Sequence, residues 1–191
     1  MPLTKLDIHS ALVAIDLQKG IVGLPTVHPA DEIVRRTARL ARAFRERSLP
    51  VVLVNVTGGA PGRTDAGTPK FSFPADWTEL VPELEQHPED HAISKERWGA
   101  FIGTSLDDYL RERGVTQVVL TGVATSIGVE STARSAYDHG YNVVLVVDAM
   151  TDLHAEAHHH SVEKIFPRLG ETAGADEVLK LLNERLELIK D

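Results

Sequence analysis

Four short runs of apolar, largely β-branched residues constrain the fold of this chain more than any other feature. They are ALVAID at 11–16, PVVLVNVT at 50–57, QVVLTGV at 117–123 and NVVLVVDA at 142–149. Each run is almost continuously apolar instead of alternating, which is typical of strands covered on both faces, as in a parallel sheet. AISK at 92–95 is a further short strand, and ETAGA at 171–175 is a candidate for the last one.

Amphipathic helical segments separate these strands. The predicted helices are 31–47, 104–113 with Thr104 as its cap, a stretch from Thr125 or Ser126 to just before Gly140, and the C-terminal ADEVLKLLNERLELIK. Strands that alternate with helices in this way predict βαβ units and a doubly wound parallel sheet. With no linker or internal repeat in its 191 residues, the chain is predicted to form a single domain, 1–191.

The composition excludes several classes of partner and chemistry. A formal net charge of −8 argues against nucleic acid and against an anionic membrane surface. No apolar run approaches the length that spans a bilayer, and the N-terminus does not resemble a signal peptide, so we expect a cytoplasmic protein. The cysteine count is zero, which excludes disulfides, zinc–thiolate sites and thiol catalysis.

Polar residues at the ends of the predicted strands are the candidates for chemistry, because ligands of open parallel sheets bind outside the carboxyl ends. Asp16 ends the first strand, Lys95 ends AISK, the turn 123–128 follows the fourth, and Asp148 ends the fifth. A carboxylate can move protons, and an ammonium group and a helix N-terminus can stabilise negative charge. We therefore expect Asp16, Lys95 and the turn to converge.

Three other segments have weaker signals. The Gly- and Pro-rich stretch 58–76 is a lid, an oligomer contact or a solvated insertion, and its Phe71 and Phe73 are candidates to reach a neighbouring subunit or cap the site. HAEAHHH at 154–160 places His154 and His158 at metal-binding spacing but lacks the H-E-x-x-H order, so we interpret it as a polar helix surface. GGAPGRT lacks the spacing of a phosphate-binding loop.

Three motifs in order resemble the isochorismatase-like hydrolase family, which includes nicotinamidases, other amidohydrolases and isochorismatases. ALVAIDLQKGI resembles the strand with the family's catalytic Asp, and SKERWGAF the segment with its catalytic Lys. GVATSIGVESTARSAYDHGYNVVLVVDA resembles its nucleophile turn, helix and next strand. The resemblance implies a six-stranded, Rossmann-like α/β/α sandwich of three layers and a cis peptide before Ala124. It also implies a homo-oligomer, expected to be a dimer or tetramer.

The resemblance also implies roles for individual residues. Asp16 is expected to transfer protons, Lys95 to position it, and the backbone at Ala124 and Gly128 to bind a carboxylate or oxyanion of a small-molecule substrate. Further substrate contacts are expected from Gln18, Trp98, Phe101, Thr125 and Ser126. NVTGG stands where nicotinamidases carry a metal-binding Asp-x-His arrangement, so neither a metal nor another cofactor is expected.

Gly128 departs from the pattern, because most members of the family carry the nucleophilic Cys there. Members that hydrolyse isochorismate also have Gly and keep the Asp and Lys, yet the turn GVATSIG follows the pattern of Cys-dependent amidases. Three interpretations stay open. The chain is an ether or ester hydrolase of a small carboxylated substrate, or an amidase whose Asp16 activates water. The third is a binder without catalytic activity, either because it lost the activity in evolution or because of an engineered Cys→Gly change.

Overall fold

A six-stranded parallel sheet forms the centre of the molecule, in the order β3-β2-β1-β4-β5-β6. The computed structural model describes residues 3–65 and 74–188. The strands are β1 (Ser10–Ile15), β2 (Val51–Val56), β3 (His91–Lys95), β4 (Gln117–Val123), β5 (Asn142–Thr151) and β6 (Glu171–Ala173). The predicted fold class, a doubly wound α/β/α sandwich, is confirmed.

Helices cover both faces of the sheet. They are α1 (Lys19–Val22), α2 (Ala30–Arg45), α3 (Leu106–Glu112), α4 (Glu130–Asp138), α5 (Ala155–His160), α6 (Phe166–Leu169) and α7 (Ala175–Leu188). A π-helical segment, Thr125–Val129, leads into α4. Among the described residues, no helix combines the length and apolarity needed to cross a bilayer.

Two apolar cores explain why the strands are continuously apolar. Leu12 and Ala14 of β1 pack in the core that contains α2 and α7, whereas Val13 and Ile15 pack in the core that contains α3, α4 and α6. Successive side chains of a strand point to opposite faces, so a strand covered on both faces needs apolar residues at every position. All six residues of β1 are buried.

Strand β5 extends beyond its predicted end. Leu120 pairs with Leu145 but Gly122 pairs with Met150, so β5 accommodates extra residues opposite β4 and continues to Thr151. The prediction that Asp148 ends this strand is therefore wrong, because Asp152 is the acid that follows it. Asp148 instead accepts a hydrogen bond from the Ala175 N–H at the start of α7.

The irregular stretch 58–76 is described only in part. Phe71 and Phe73 lie outside the described residues. Their predicted role in a subunit contact or in capping the site therefore stays a prediction. The segment that follows it runs beside the exit of β1, where Lys19 N–H donates to the Glu79 carbonyl and Gly20 N–H to the Trp77 carbonyl. The region after β1 is therefore held by residues that come about sixty positions later in the chain.

Candidate active site

Asp16 and Lys95 form a buried ion pair at the carboxyl edge of the sheet. The Lys95 Nζ donates to Asp16 Oδ2 at 2.8 Å, and the two side chains are only 2% and 8% exposed, respectively. Asp16 follows β1 with a φ of +54°, a left-handed conformation that aspartate adopts more readily than most residues. Lys95 ends β3, and β2 lies between β3 and β1 in the sheet, so the lysine side chain spans one strand.

Burial dominates the electrostatics of this pair. Desolvation raises the pKa of the Asp16 carboxyl to about 6, although the charge and the hydrogen bond of Lys95 both lower it. The second carboxyl oxygen, Oδ1, is buried and has no hydrogen-bond partner within the described residues. A carboxyl group of this kind takes up a proton at a pH well above that of an exposed aspartate, and its Oδ1 is free to carry that proton.

The same shift fixes how the Asp16 carboxyl affects folding stability. Its pKa is higher in the folded chain than its ordinary value of 3.8, so the native state binds the proton first as the pH falls. The charged carboxylate therefore lowers the free energy of unfolding at neutral pH. That cost is relieved between about pH 6 and pH 3.8.

Gly128 lies against this pair and has no side chain to offer. A Cβ atom built on it would lie 2.9 Å from Ile15 Cγ2 and 3.1 Å from Asp16 Oδ2. The Val123–Ala124 peptide bond is cis, as the family resemblance implies. Gly122, at a φ of +122°, lets β4 approach β1 so closely that a Cβ there would lie 2.0 Å from the Ile15 carbonyl oxygen. At Gly128, the turn thus places bare backbone directly beside Asp16.

Gln18 has a structural role, in contrast to its predicted contact with substrate. It is fully buried, and its side-chain amide bonds only backbone. Nε2 donates to the carbonyls of Val56 at 3.0 Å and Trp77 at 3.1 Å, while Oε1 accepts from the Val56 N–H at 2.7 Å. The side chain therefore ties the residues after β1 to the end of β2 and to the segment that follows the irregular loop.

Gln18→Leu is expected to lower the free energy of unfolding by about 2–4 kcal/mol, because the Val56 N–H and two carbonyl groups lose their partner in a buried place. Gln18→Glu has the same size and keeps the acceptor, but it replaces the amide donor with a buried carboxylate that faces the two carbonyl groups, so it should destabilise the fold at least as much. Urea denaturation of the two variants and the parent measures the effect. An unchanged midpoint for Gln18→Leu would show that this amide does not hold the segments together.

Trp98 and Phe101, the two predicted aromatic contacts with substrate, lie in different environments. The Trp98 side chain is 65% exposed. Phe101 is buried in the core on the α4 side, with its ring centroid 5.1 Å from that of His139 and 5.9 Å from that of Tyr141. Their contacts with substrate stay predictions. SKERWGAF brings only its lysine to the pair with Asp16.

Thr125 and Ser126 contact protein groups that the sequence did not point to. The Ser126 N–H donates to Asp152 Oδ2 at 2.7 Å, and the Thr125 hydroxyl lies 2.9 Å from His158 Nδ1. Asp152 is 1% exposed and His158 is 6% exposed, so the interpretation of 154–160 as a polar surface is wrong for His158. An acid directly after a strand indicates such a contact. The sequence places the end of β5 at Asp148, however, and therefore does not point to Asp152.

Metal binding and large cavities do not single out another centre of chemistry. Among residues 3–65 and 74–188, no three His, Asp or Glu side chains are grouped to hold a metal ion. A cavity of about 490 Å³ lies at the carboxyl edge of the sheet, beside Ser94 and Glu96, which flank Lys95. A cavity of about 410 Å³ lies at the amino-terminal edge, beside Pro50, Tyr109 and Arg113. Ligands of such sheets bind at the opposite edge, where Asp16 and Lys95 lie.

Comparison with known proteins identifies the family of this chain. Residues 10–177 match the model of the isochorismatase domain. The chain belongs to the isochorismatase family. The isochorismatase family protein YecD of Escherichia coli O157:H7 is 41% identical over 182 residues, which cover 91% of this chain and 96% of YecD. A solved isochorismatase family protein from Burkholderia thailandensis is 44% identical, with a TM-score of 0.91 over 94% of this chain and 98% of that one.

Some relatives of this chain are amidohydrolases. The ureidoacrylate amidohydrolase RutB of Variovorax paradoxus is 29% identical over 182 residues, which cover 80% of this chain and 72% of RutB. Family membership thus indicates a hydrolase. The chemistry that this chain can perform depends on Asp16, Lys95 and the backbone at Gly128.

Proposed function

We propose that this protein is a hydrolase of a small, carboxylated metabolite that works by proton transfer from Asp16, without a covalent thiol intermediate. The observation that carries the proposal is the buried Asp16–Lys95 pair: Oδ1 has no hydrogen-bond partner among the described residues, and Oδ2 lies beside Gly128, which has no nucleophile. Lys95 holds the aspartate in place and supplies positive charge. The backbone at Ala124 and Gly128 binds the negative charge of the substrate.

Hydrolysis of a vinyl ether of the isochorismate type fits these groups. The Asp16 carboxyl donates its proton to the terminal carbon of the enol ether, which gives an oxocarbenium ion. Water adds to that ion and gives a hemiketal. When the hemiketal collapses to the ketone, the C–O bond to the leaving group breaks, one proton of the water goes to the departing oxygen, which leaves as the alcohol, and the other returns to the carboxylate. No bond to the protein forms, so the reaction needs no thiol. A substrate carboxylate near Lys95 offsets its charge and favours the protonated form of Asp16.

The rate of this reaction should depend on the protonated form of Asp16. Because that form is populated below its pKa, kcat/KM is expected to fall as the pH rises through about 6. Steady-state rates between pH 4.5 and 8.5 test this, with stability checked at each pH. A flat profile, or one that rises over this range, would contradict an acid role for Asp16.

A second candidate is a binder without turnover. The relationship to the amidohydrolase RutB and the glycine at position 128, where the resemblance implies a nucleophilic Cys, favour it. Isochorismate and nicotinamide, assayed with the purified protein, separate the two functions. We expect turnover of isochorismate, none of nicotinamide, and no covalent adduct by intact mass spectrometry. Thermal stabilisation by carboxylated metabolites with no turnover of either compound would instead support the binder.

A further inference from the structure

The segment that follows β5 contacts the Ala124–Gly128 turn at two points. Asp152 lies directly after the strand, and its Oδ2 accepts from the Ser126 N–H at 2.7 Å. Its Oδ1 accepts from the N–H groups of Leu153 at 2.8 Å and His154 at 3.2 Å. Both oxygens of this carboxylate are thus bonded to backbone, which fixes the start of α5 and the turn relative to each other.

His158, one turn into α5, makes the second contact. Its Nδ1 lies 2.9 Å from the hydroxyl of Thr125, which is fully buried. Burial, together with the rings of His28 and His159, lowers the pKa of His158, whereas Asp152 raises it. A neutral imidazole has one acceptor nitrogen. If Nδ1 is that acceptor, the Thr125 hydroxyl donates to it and the ring proton lies on Nε2.

We propose that His158 and Asp152 are positioning residues for the Ala124–Gly128 turn, with His158 acting as a neutral acceptor for the Thr125 hydroxyl. The proposed function needs such support, since the substrate's negative charge is bound there by backbone alone. This inference depends on the proposed function in one respect only: it assumes that the turn binds the negative charge of the substrate. The hydrogen bonds themselves can be tested without any substrate.

The competing explanation is that His158 merely fills space. Its ring centroid lies 4.8 Å from that of His28 in an edge-to-face arrangement, so packing alone accounts for a buried ring. Two substitutions separate the explanations, because asparagine places its polar atoms near the position of Nδ1 and glutamine places them near that of Nε2. Thr125→Val removes the hydroxyl and keeps the shape of the side chain.

Amide hydrogen exchange measured by NMR in His158→Asn, His158→Gln and Thr125→Val tests the proposal. In His158→Gln and Thr125→Val, the amides of 125–129 are expected to exchange about 10-fold faster, the size of one lost buried hydrogen bond. His158→Asn is expected to stay within about 3-fold of the parent. Amides of β2 serve as the internal control and should not change in any variant.

Two results would overturn the proposal. The first is equal exchange at 125–129 in His158→Asn and His158→Gln, whether fast or slow, because a space-filling ring does not distinguish the two. The second is a ring ¹⁵N spectrum of the parent with the proton on Nδ1 of His158. If the parent turns over none of the probe substrates, the proposed function fails, yet both measurements still decide whether His158 positions the turn.

Discussion

Asp16→Asn is expected to lower turnover by about 10²–10⁴-fold, the usual contribution of a positioned acid. Asparagine keeps the size of the side chain but has no proton to donate at Oδ1. It also leaves the Lys95 ammonium, which is 2% exposed, without a counter-charge. This loss of the counter-charge lowers the free energy of unfolding, whereas removal of the buried carboxylate charge, which costs stability at neutral pH, raises it.

A double-mutant cycle with Lys95→Met separates the two effects of this substitution. Methionine removes the charge and keeps an unbranched side chain, so Asp16→Asn/Lys95→Met has neither buried charge. We expect the double variant to be more stable than the sum of the two single changes predicts, by about 2 kcal/mol or more, while turnover stays lost. Urea denaturation and initial rates measure both quantities. Additive stability changes would show that the two charges do not depend on each other.

Gly128→Ala is expected to reduce kcat at least 10-fold, because the added methyl group must displace Asp16. The new Cβ would lie 3.1 Å from Asp16 Oδ2 and 2.9 Å from Ile15 Cγ2, closer than side chains normally approach. A small displacement of a catalytic group is sufficient for a loss of this size. The same crowding is expected to destabilise the fold by about 1–3 kcal/mol.

Gly128→Cys tests whether the site can accommodate a nucleophilic thiol. The thiol has the crowding of the alanine variant plus a sulfur atom, so it should lower hydrolysis of isochorismate at least as far. If Gly128→Cys gains nicotinamidase activity with no loss of stability, the site has kept the room and alignment for a thiol. That result would favour the amidohydrolase interpretation.

The sequence predicts the sheet well, because the physical signal is local. Continuously apolar strands such as 117–123 require cover on both faces, and that alone indicates helices on either side of a parallel sheet. The pair of Asp16 and Lys95 was found by the same logic, since both end strands that meet at one edge. Their separation across β2 makes no difference, because a lysine side chain is long enough to span it.

Contacts that depend on register could not be predicted in this way. The extra residues in β5 move its end from Asp148 to Thr151, and that shift decides which acid meets the turn. His158 looked like part of a polar helix surface because a helix repeat cannot tell which face packs against a turn 33 residues earlier in the chain. Gln18 resembled a ligand contact, yet backbone groups of distant segments occupy its amide.

The most direct test of the account is the titration of the Asp16 carboxyl carbon by ¹³C NMR in the folded protein. Burial against Lys95 predicts a pKa of about 6, and Lys95→Met should raise it further, because the lysine's charge and hydrogen bond both lower it. A carboxyl that titrates at or below its ordinary value of 3.8 in the parent would contradict the account. Asp16 would then be ionised throughout the working range and could not deliver the proton.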